Sequence, residues 1–309
     1  MDIHQHKSAN RRKVVFLTLI LPLSLLVILG LAARPGSAES EEAFTTYLPN
    51  VSFYSFSGPH PMLAAASSDD VGNPVPPVIE SITTVPINPL VSVNETIQFT
   101  MVFTDPEAID SFTVAWDWGD GSTTTQSDVF SPIQASHTYT DPSIYTVGVT
   151  VINSFDLEDT ESFEYVVVYD PSGGFVTGGG WIDSPQGAYM PDPALTGRAT
   201  FGFVSKYRKG ADTPTGNTEF QFQVADLNFH SSRYEWLVVN RGGHRAQFKG
   251  EGTINGIEGY RFMIWASDED PDRFRIKIWE EPEESVEVII YDNGSVQAIG
   301  GGSIVIHAK

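Results

Sequence analysis

The acidic side chains between positions 268 and 272 are spaced in a way that suits a hard cation. Asp268, Asp270 and Asp272 alternate with other residues, so a flexible loop can turn their oxygen atoms towards one calcium ion. Asp292, at the end of a later predicted strand, is expected to approach the same edge. The loop is not an EF-hand, because it lacks the glycine and the glutamate that this motif requires at its sixth and twelfth positions. An ordinary acidic hairpin turn is the alternative.

A second group of carboxylates lies within six positions, at Asp105, Glu107 and Asp110. No lysine or arginine lies nearby in sequence, so calcium is one way to neutralise this cluster. A solvated acidic loop is the other interpretation. Calcium is therefore the candidate cofactor at both loops, and no other cofactor is expected.

The motifs of common enzyme classes are missing from the sequence. The chain has no cysteine, which excludes a cysteine nucleophile, a thiolate zinc site and a disulfide scaffold. It contains no HExxH, GxSxG or Asp-Thr/Ser-Gly sequence, and the glycine run at 178–180 leads into an aromatic strand rather than a phosphate loop. We therefore predict that the protein is not an enzyme. A glycosidase is the remaining alternative, since it requires only two carboxylates.

The charge of the chain is strongly acidic and unevenly distributed. There are 39 Asp and Glu against 18 Lys and Arg, for a formal net charge of −21. Between positions 35 and 197 there are 22 acidic residues and no lysine or arginine, whereas 13 basic and 16 acidic residues follow from Arg198 onward. Such a surface repels a phosphate backbone, so nucleic acid is not expected as a partner. Basic clusters at 206–209 and 241–249 are interpreted as charge on solvated strand faces, with binding of an anionic polymer as the alternative.

The first 38 residues have the pattern of an export signal. An apolar run at 14–33 follows a basic stretch at 11–13, and small residues at 36–38 suit cleavage before Glu39. An uncleaved anchor is the alternative, because about 20 apolar residues span a bilayer, and the membrane is then a partner only through residues 14–33. Either way the remainder is predicted to be extracytoplasmic, secreted or on the cell surface. Residues 39–77 are predicted to be a linker.

Residues 78–170 alternate between apolar and polar side chains in short strands, which is the pattern of a β-sandwich. Trp116 and Trp118 share one face of a strand. Both indoles are therefore predicted to lie in the core rather than to form a sugar-stacking platform. Asp120 is predicted to bond within the following turn, and Asp117 to face solvent or to bond in that turn, rather than to act as catalytic carboxylates.

These residues resemble the polycystic-kidney-disease (PKD) type domain. The resemblance is carried by the motif residues Trp116, Asp117, Trp118, Gly119, Asp120, Gly121, His137 and Tyr139. It covers about 90 residues and implies an Ig-like sandwich used for extracellular spacing, adhesion or substrate contact. It implies a structural role for the motif residues and no catalytic residue. The chain departs from the family at Ser143-Ile144, where a glycine is usual, and strain is expected at that turn.

Residues 171–309 also alternate, over nine predicted strands joined mainly by short turns. This pattern favours a second antiparallel β-sandwich or barrel. Several segments, including 175–181 and 299–307, resemble a C-terminal β-module of secreted bacterial proteins, a resemblance that implies no known activity. The predicted fold class is therefore all-β, an Ig-like β-sandwich followed by a second antiparallel sandwich or barrel, with an N-terminal hydrophobic export helix.

The sequence as a whole predicts a non-catalytic exported protein of the bacterial cell surface or exterior. Its expected role is adhesion, spacing or ligand presentation, with an extracellular polysaccharide or protein as the ligand. A carbohydrate-binding accessory module is the alternative. Its candidate contacts are four tryptophans, and strand parity does not show which of them face solvent: Trp181, Trp236, Trp265 and Trp279.

Overall fold

The computed structural model describes residues 73–106, 111–282 and 286–309, which belong to one compact unit. The predicted export signal at 1–38, nearly all of the predicted linker, Glu107 and Asp110 lie outside the described residues. Within these ranges the chain is all-β, as predicted, apart from a 3-10 turn at Gln223–Ala225. No helix in this part of the chain is long and apolar enough to span a membrane.

Two sheets are built from the first eight strands. The strands are β1 (Val78–Val85), β2 (Leu90–Ser92), β3 (Thr96–Thr104), β4 (Phe112–Asp117), β5 (Thr123–Val129), β6 (Ile133–Thr138), β7 (Ser143–Ile152) and β8 (Glu158–Tyr169). One sheet has the order β1-β3-β6 and the other the order β2-β8-β7-β4-β5. Every pair is antiparallel except β2 and β8. The two sheets form a sandwich.

The core of this sandwich follows from the alternation of its strands. In β3 the residues Ile97, Phe99 and Met101 point inwards and are fully buried. The ring of Phe99 lies 5.8 Å from that of Trp116 and 5.4 Å from that of Trp118. Both indoles are buried, at 0% and 1% exposure, as the strand pattern predicts. Burying one large apolar side chain contributes about 1.5–3 kcal/mol, so these rings dominate the stability of the sandwich.

A single ten-stranded sheet is formed by the rest of the chain. Its strands are β9 (Gly174–Ser184), β10 (Gly197–Tyr207), β11 (Pro214–Phe222), β12 (Leu227–Val239), β13 (Arg245–Ile254), β14 (Ile257–Ser267), β15 (Arg273–Glu280), β16 (Val288–Asp292), β17 (Gln297–Ala298) and β18 (Gly301–Ala308). The order is β16-β15-β14-β13-β12-β11-β10-β9-β18, and β17 pairs with the start of β15. The sequence predicts nine strands and misses β17, because two residues are too few to show a period.

The ten-stranded sheet curls around one core. Phe201 of β10 stacks on Phe274 of β15 with 3.9 Å between ring centroids, although these strands are far apart in the sheet order. The glycine run at 178–180 lies inside β9, and a Cβ at Gly178 would collide with the ring of Phe203. This glycine is therefore a packing requirement of the core.

A third apolar cluster joins the sandwich to the outer face of the ten-stranded sheet. Its buried members are Val167, Tyr169, Trp236 and Val238. Ile144 packs against it, and neither Ser143 nor Ile144 adopts a left-handed backbone. The expectation of strain at this departure from the PKD pattern is therefore wrong. Ile144 instead supplies an apolar contact between the sandwich and the ten-stranded sheet.

Candidate functional site

The turn after β4 holds the carboxylates of the PKD-like motif. Asp117 Oδ1 accepts a hydrogen bond from the Gly119 amide at 3.0 Å. Asp120 Oδ1 accepts two from Ser122, from the amide at 2.9 Å and from the hydroxyl at 2.6 Å. Gly119 and Gly121 have φ values of +75° and +90°, a conformation that glycine adopts at no steric cost. Both carboxylates are thus engaged in shaping the turn.

His137 and Tyr139 fasten this turn to the core of the sandwich. His137 Nε2 lies 2.8 Å from Asp120 Oδ2, and the imidazole stacks on Trp118 with 4.7 Å between ring centroids. The Tyr139 hydroxyl donates to the Trp118 carbonyl at 3.0 Å. Burial acts to raise the pKa of Asp120, but hydrogen bonds from Ser122 and His137 outweigh it and hold the pKa below its ordinary value of 3.8. The contacts of this cluster are those of a structural element.

Replacing Asp120 with asparagine is expected to lower the free energy of unfolding by about 1 kcal/mol at neutral pH, since charge-assisted hydrogen bonds are lost. Because the folded-state pKa is lowered, the stabilisation is present above the unfolded-state value and is lost as pH falls through the folded-state value. The difference in the free energy of unfolding between the parent and the variant should therefore disappear in acid. Urea unfolding at several pH values measures it. Asp212→Asn, in an exposed loop, is the control. A gap that stays constant into acid would contradict the prediction.

The acidic loop between β14 and β15 bonds to the edge of the sheet. Asp272 Oδ2 accepts a hydrogen bond from the Ile304 amide at 2.8 Å, and Asp268 Oδ2 accepts one from the Ile306 amide at 2.9 Å. Both amides belong to β18, whose other side pairs with β9. The two carboxylates therefore take the place of a neighbouring strand, while Asp270 is exposed. Calcium binding at this loop stays a prediction.

The other predicted calcium ligands have separate partners. Asp292 accepts two hydrogen bonds from Arg275, at 2.9 and 2.8 Å, so both of its carboxylate oxygens are already engaged, and its approach to the acidic loop stays a prediction. Asp105 Oδ2 accepts a hydrogen bond from Asn153 at 3.2 Å. Among the described residues, no group of three or more His, Asp or Glu side chains is arranged to hold a metal ion.

Two of the four candidate tryptophans are buried, and a third is half-buried between other residues. Trp236 is buried in the third apolar cluster, and Trp279 is buried beneath the ammonium groups of Lys249 and Lys277. The ring of Trp181 packs against Gly300 and Gly301, at the start of β18. The guanidinium of Arg198 lies 4.0 Å from the centroid of the same ring. Trp236 and Trp279 are therefore closed to a ligand, and Trp181 lies outside the groove described next.

Trp265 differs because it lines a groove on the outer face of the sheet. The groove has a volume of about 380 Å³. Its lining includes Arg245, Gln247, Trp265, Glu269 and Arg273, together with Ser267, whose side chain is buried. The groove thus combines one half-buried indole with several hydrogen-bonding groups, a set that can contact both a flat apolar face and the polar groups of a ligand.

The strand register explains how the groove is assembled. Arg245 on β13 pairs with Ser267 on β14, which pairs with Arg273 on β15. The next row on the same face is Gln247, Trp265 and Arg275. These positions alternate with the buried core residues of each strand. Sequence reasoning missed this set because the three strands meet only in the folded sheet.

Arg275 holds the indole of Trp265 in place. Its guanidinium lies 4.3 Å from the ring centroid and is itself fixed by the two hydrogen bonds to Asp292. Those bonds raise the pKa of Arg275 above its ordinary value, and Tyr165 of the sandwich acts in the same direction. Tyr165 is exposed and has a φ of 71° at a bulge in β8, a rare conformation for an aromatic residue. The sandwich thus brings an exposed aromatic residue within electrostatic range of this site.

Comparison with known proteins finds a family match for the first part of the chain. Residues 74–168 match the family model of the PKD domain, which confirms the resemblance seen in the motif residues. One similar solved structure is described as the structural basis for the promiscuous specificity of carbohydrate-binding modules from the β-sandwich superfamily, with 16% identity and a TM-score of 0.28. The match covers 77% of this chain and 100% of that chain, and at this TM-score it supports no functional argument. A search of curated proteins finds no match.

Proposed function

We propose that this protein is a non-catalytic, exported binding protein that holds an extracellular carbohydrate in the groove at Trp265. The observation that carries the proposal is that Trp265, alone among the four candidate tryptophans, lines a groove rich in hydrogen-bonding side chains. An indole offers a flat apolar face to a sugar ring, while the surrounding polar groups bond its hydroxyls. The PKD domain serves to space this surface from the segment that precedes it.

The absence of catalysis is part of the proposal. Glycoside hydrolysis uses a pair of carboxylates on opposite sides of the scissile bond. Among the described residues that line the groove, Glu269 is the one carboxylate, and it lies 3.4 Å from Arg245. This composition supports binding better than hydrolysis.

The location of the groove outside the cytoplasm also belongs to the proposal. If the apolar segment at 14–33 stays uncleaved, the groove is held at the cell surface and its ligand contact amounts to adhesion. If the segment is removed, the same groove acts in a secreted protein. PKD-type domains are typical of extracellular proteins, which supports both outcomes.

The proposal predicts that Trp265→Ala weakens binding to any glycan that the protein retains in a glycan and cell-wall polymer screen. Loss of the stacking surface is expected to weaken binding about 5- to 150-fold, because an aromatic contact contributes on the order of 1–3 kcal/mol. Affinity is measured by titration calorimetry, and thermal melting checks that the variant is folded.

Trp181→Ala is the matched control, because its ring packs against Gly300 away from the groove. It should bind as the parent protein does. Equal losses in both variants, or unchanged binding by Trp265→Ala, would contradict the proposed site. Running each titration with calcium and with chelator also tests the predicted calcium loop at Asp268–Asp272.

A further inference from the structure

We propose that the groove at Trp265 selects acidic glycans, and that Arg245 and Arg273 bind the carboxylates of their uronic acid units. This inference rests on the proposed function and names the ligand class for the same site. Its starting point is the charge of the groove. In a chain of net charge −21, two guanidinium groups line one face of a small groove beside a single carboxylate.

Both arginines have donors to spare. Arg245 contacts Glu269 through Nε and Nη2, each at 3.4 Å, and its side chain is 70% exposed. Arg273 donates one long bond, from Nη1 to the Val296 carbonyl at 3.4 Å. A guanidinium carries five N–H donors in a planar fork that matches a carboxylate. These contacts leave most N–H donors of the two guanidinium groups without a protein acceptor among the described residues, and so available to a ligand.

Several other cations on the outer face of the sheet are held by close protein carboxylates. Arg261 lies 2.7 Å from Glu235, and Lys277 forms an ion pair with Glu287. Arg275 is held by both oxygens of Asp292. Arg273, by contrast, forms no ion pair with a carboxylate of the described residues, and Arg245 pairs only with Glu269, which itself lines the groove.

The register sets the spacing of the two arginines. They stand on β13 and β15, on either side of Ser267, so their backbones are two strand spacings apart, about 9–10 Å. Two such sites suit successive charged units of a polymer better than one small anion. Ser267 lies between them, and its Oγ has no hydrogen-bond partner in the described part of the chain.

The ring of Trp265 decides between kinds of polyanion. A polyphosphate has no flat apolar face to stack on an indole, whereas each unit of a uronic acid polymer has both a ring and a carboxylate. The acidic surface elsewhere disfavours very highly charged polymers, but at 0.1 M salt its field is screened within about 10 Å. A carboxylated glycan therefore fits the groove best.

The test compares polygalacturonate oligomers with their fully methyl-esterified form at matched length. The two ligands share the sugar ring and differ in charge. We expect the acid to bind about tenfold more tightly, since charge-assisted hydrogen bonds are the stronger kind. Arg273→Gln should remove about that factor for the acid and weaken the ester much less, so that the preference for the acid is lost. Rising salt should weaken the acid selectively.

Arg208→Gln is the control, because Arg208 is exposed and lies outside the groove. It should leave both affinities unaltered. Equal binding of acid and ester, still dependent on Trp265, would overturn the ligand class and leave the proposed function standing. If Arg208→Gln loses as much affinity for the acidic oligomer as Arg273→Gln does, the preference depends only on the overall charge of the protein. That result would overturn the assignment of the two arginines. If neither oligomer binds, the ligand class is overturned, and an empty glycan screen would remove the proposed function with it.

Discussion

Replacing Trp116 with alanine is expected to lower the free energy of unfolding of the chain by about 3–5 kcal/mol, the usual cost of removing a large aromatic residue from a core. The indole is fully buried and stacks on Trp118 with 5.4 Å between ring centroids. It also contacts Phe99, and its Nε1 donates to Gln126 at 3.2 Å. Alanine removes all of these contacts and leaves a cavity that the sandwich cannot fill without rearrangement.

Urea unfolding of the full chain measures this loss. A variant with an unchanged dependence on urea and a lower midpoint has lost stability without a change in the folded architecture. Phe155→Ala is the control, because this ring is 55% exposed and its removal should change stability by less than about 0.5 kcal/mol. A loss below about 1 kcal/mol for Trp116→Ala would contradict the assignment of this residue to the core.

The burial of Trp116 was predictable because it depends on local information. Strand residues of the same parity share a face, so two tryptophans two positions apart point into the same core. The turn that follows was predictable for the same reason, since Asp120 reaches Ser122 only two positions away. The motif and its turn lie within one short stretch of chain, and their chemistry can be read there.

The exposure of the other tryptophans was not predictable, because it depends on distant segments. Trp236 and Trp265 lie on the same outer face of the ten-stranded sheet, so the alternation of strand residues predicts the same exposure for both. The difference arises because β8 of the sandwich covers Trp236 and leaves Trp265 at a groove. In the same way, Asp272 is matched to an amide 32 positions away. A spacing that suits calcium does not reveal such a partner.

The contact that covers Trp236 predicts how the chain unfolds. Val167 and Tyr169 of the sandwich pack on Trp236 and Val238 of the sheet, and Tyr169 stacks on Tyr207 with 5.6 Å between ring centroids. Clusters of this kind couple the stabilities of the parts they join. We therefore expect the protein to melt in one cooperative transition.

Trp236→Ala is expected to split this melting into two transitions, one for the sandwich and one for the ten-stranded sheet. The change empties the centre of the shared cluster, at a cost of about 3–5 kcal/mol, while both separate cores are left intact. Scanning calorimetry measures the number of transitions, and hydrogen exchange identifies which strands open first.

Arg241→Gln provides the control for this experiment. Arg241 pairs with Asp141 across the same junction at 2.9 Å, but both side chains are exposed, so the pair contributes at most about 1 kcal/mol. This variant should keep a single transition. Two transitions in the parent protein would show that the cluster does not couple the two parts. A single transition in Trp236→Ala would show that other contacts carry the coupling. With the expected result, the apolar cluster fixes the orientation of the sandwich, and this is what keeps Tyr165 within electrostatic range of Arg275.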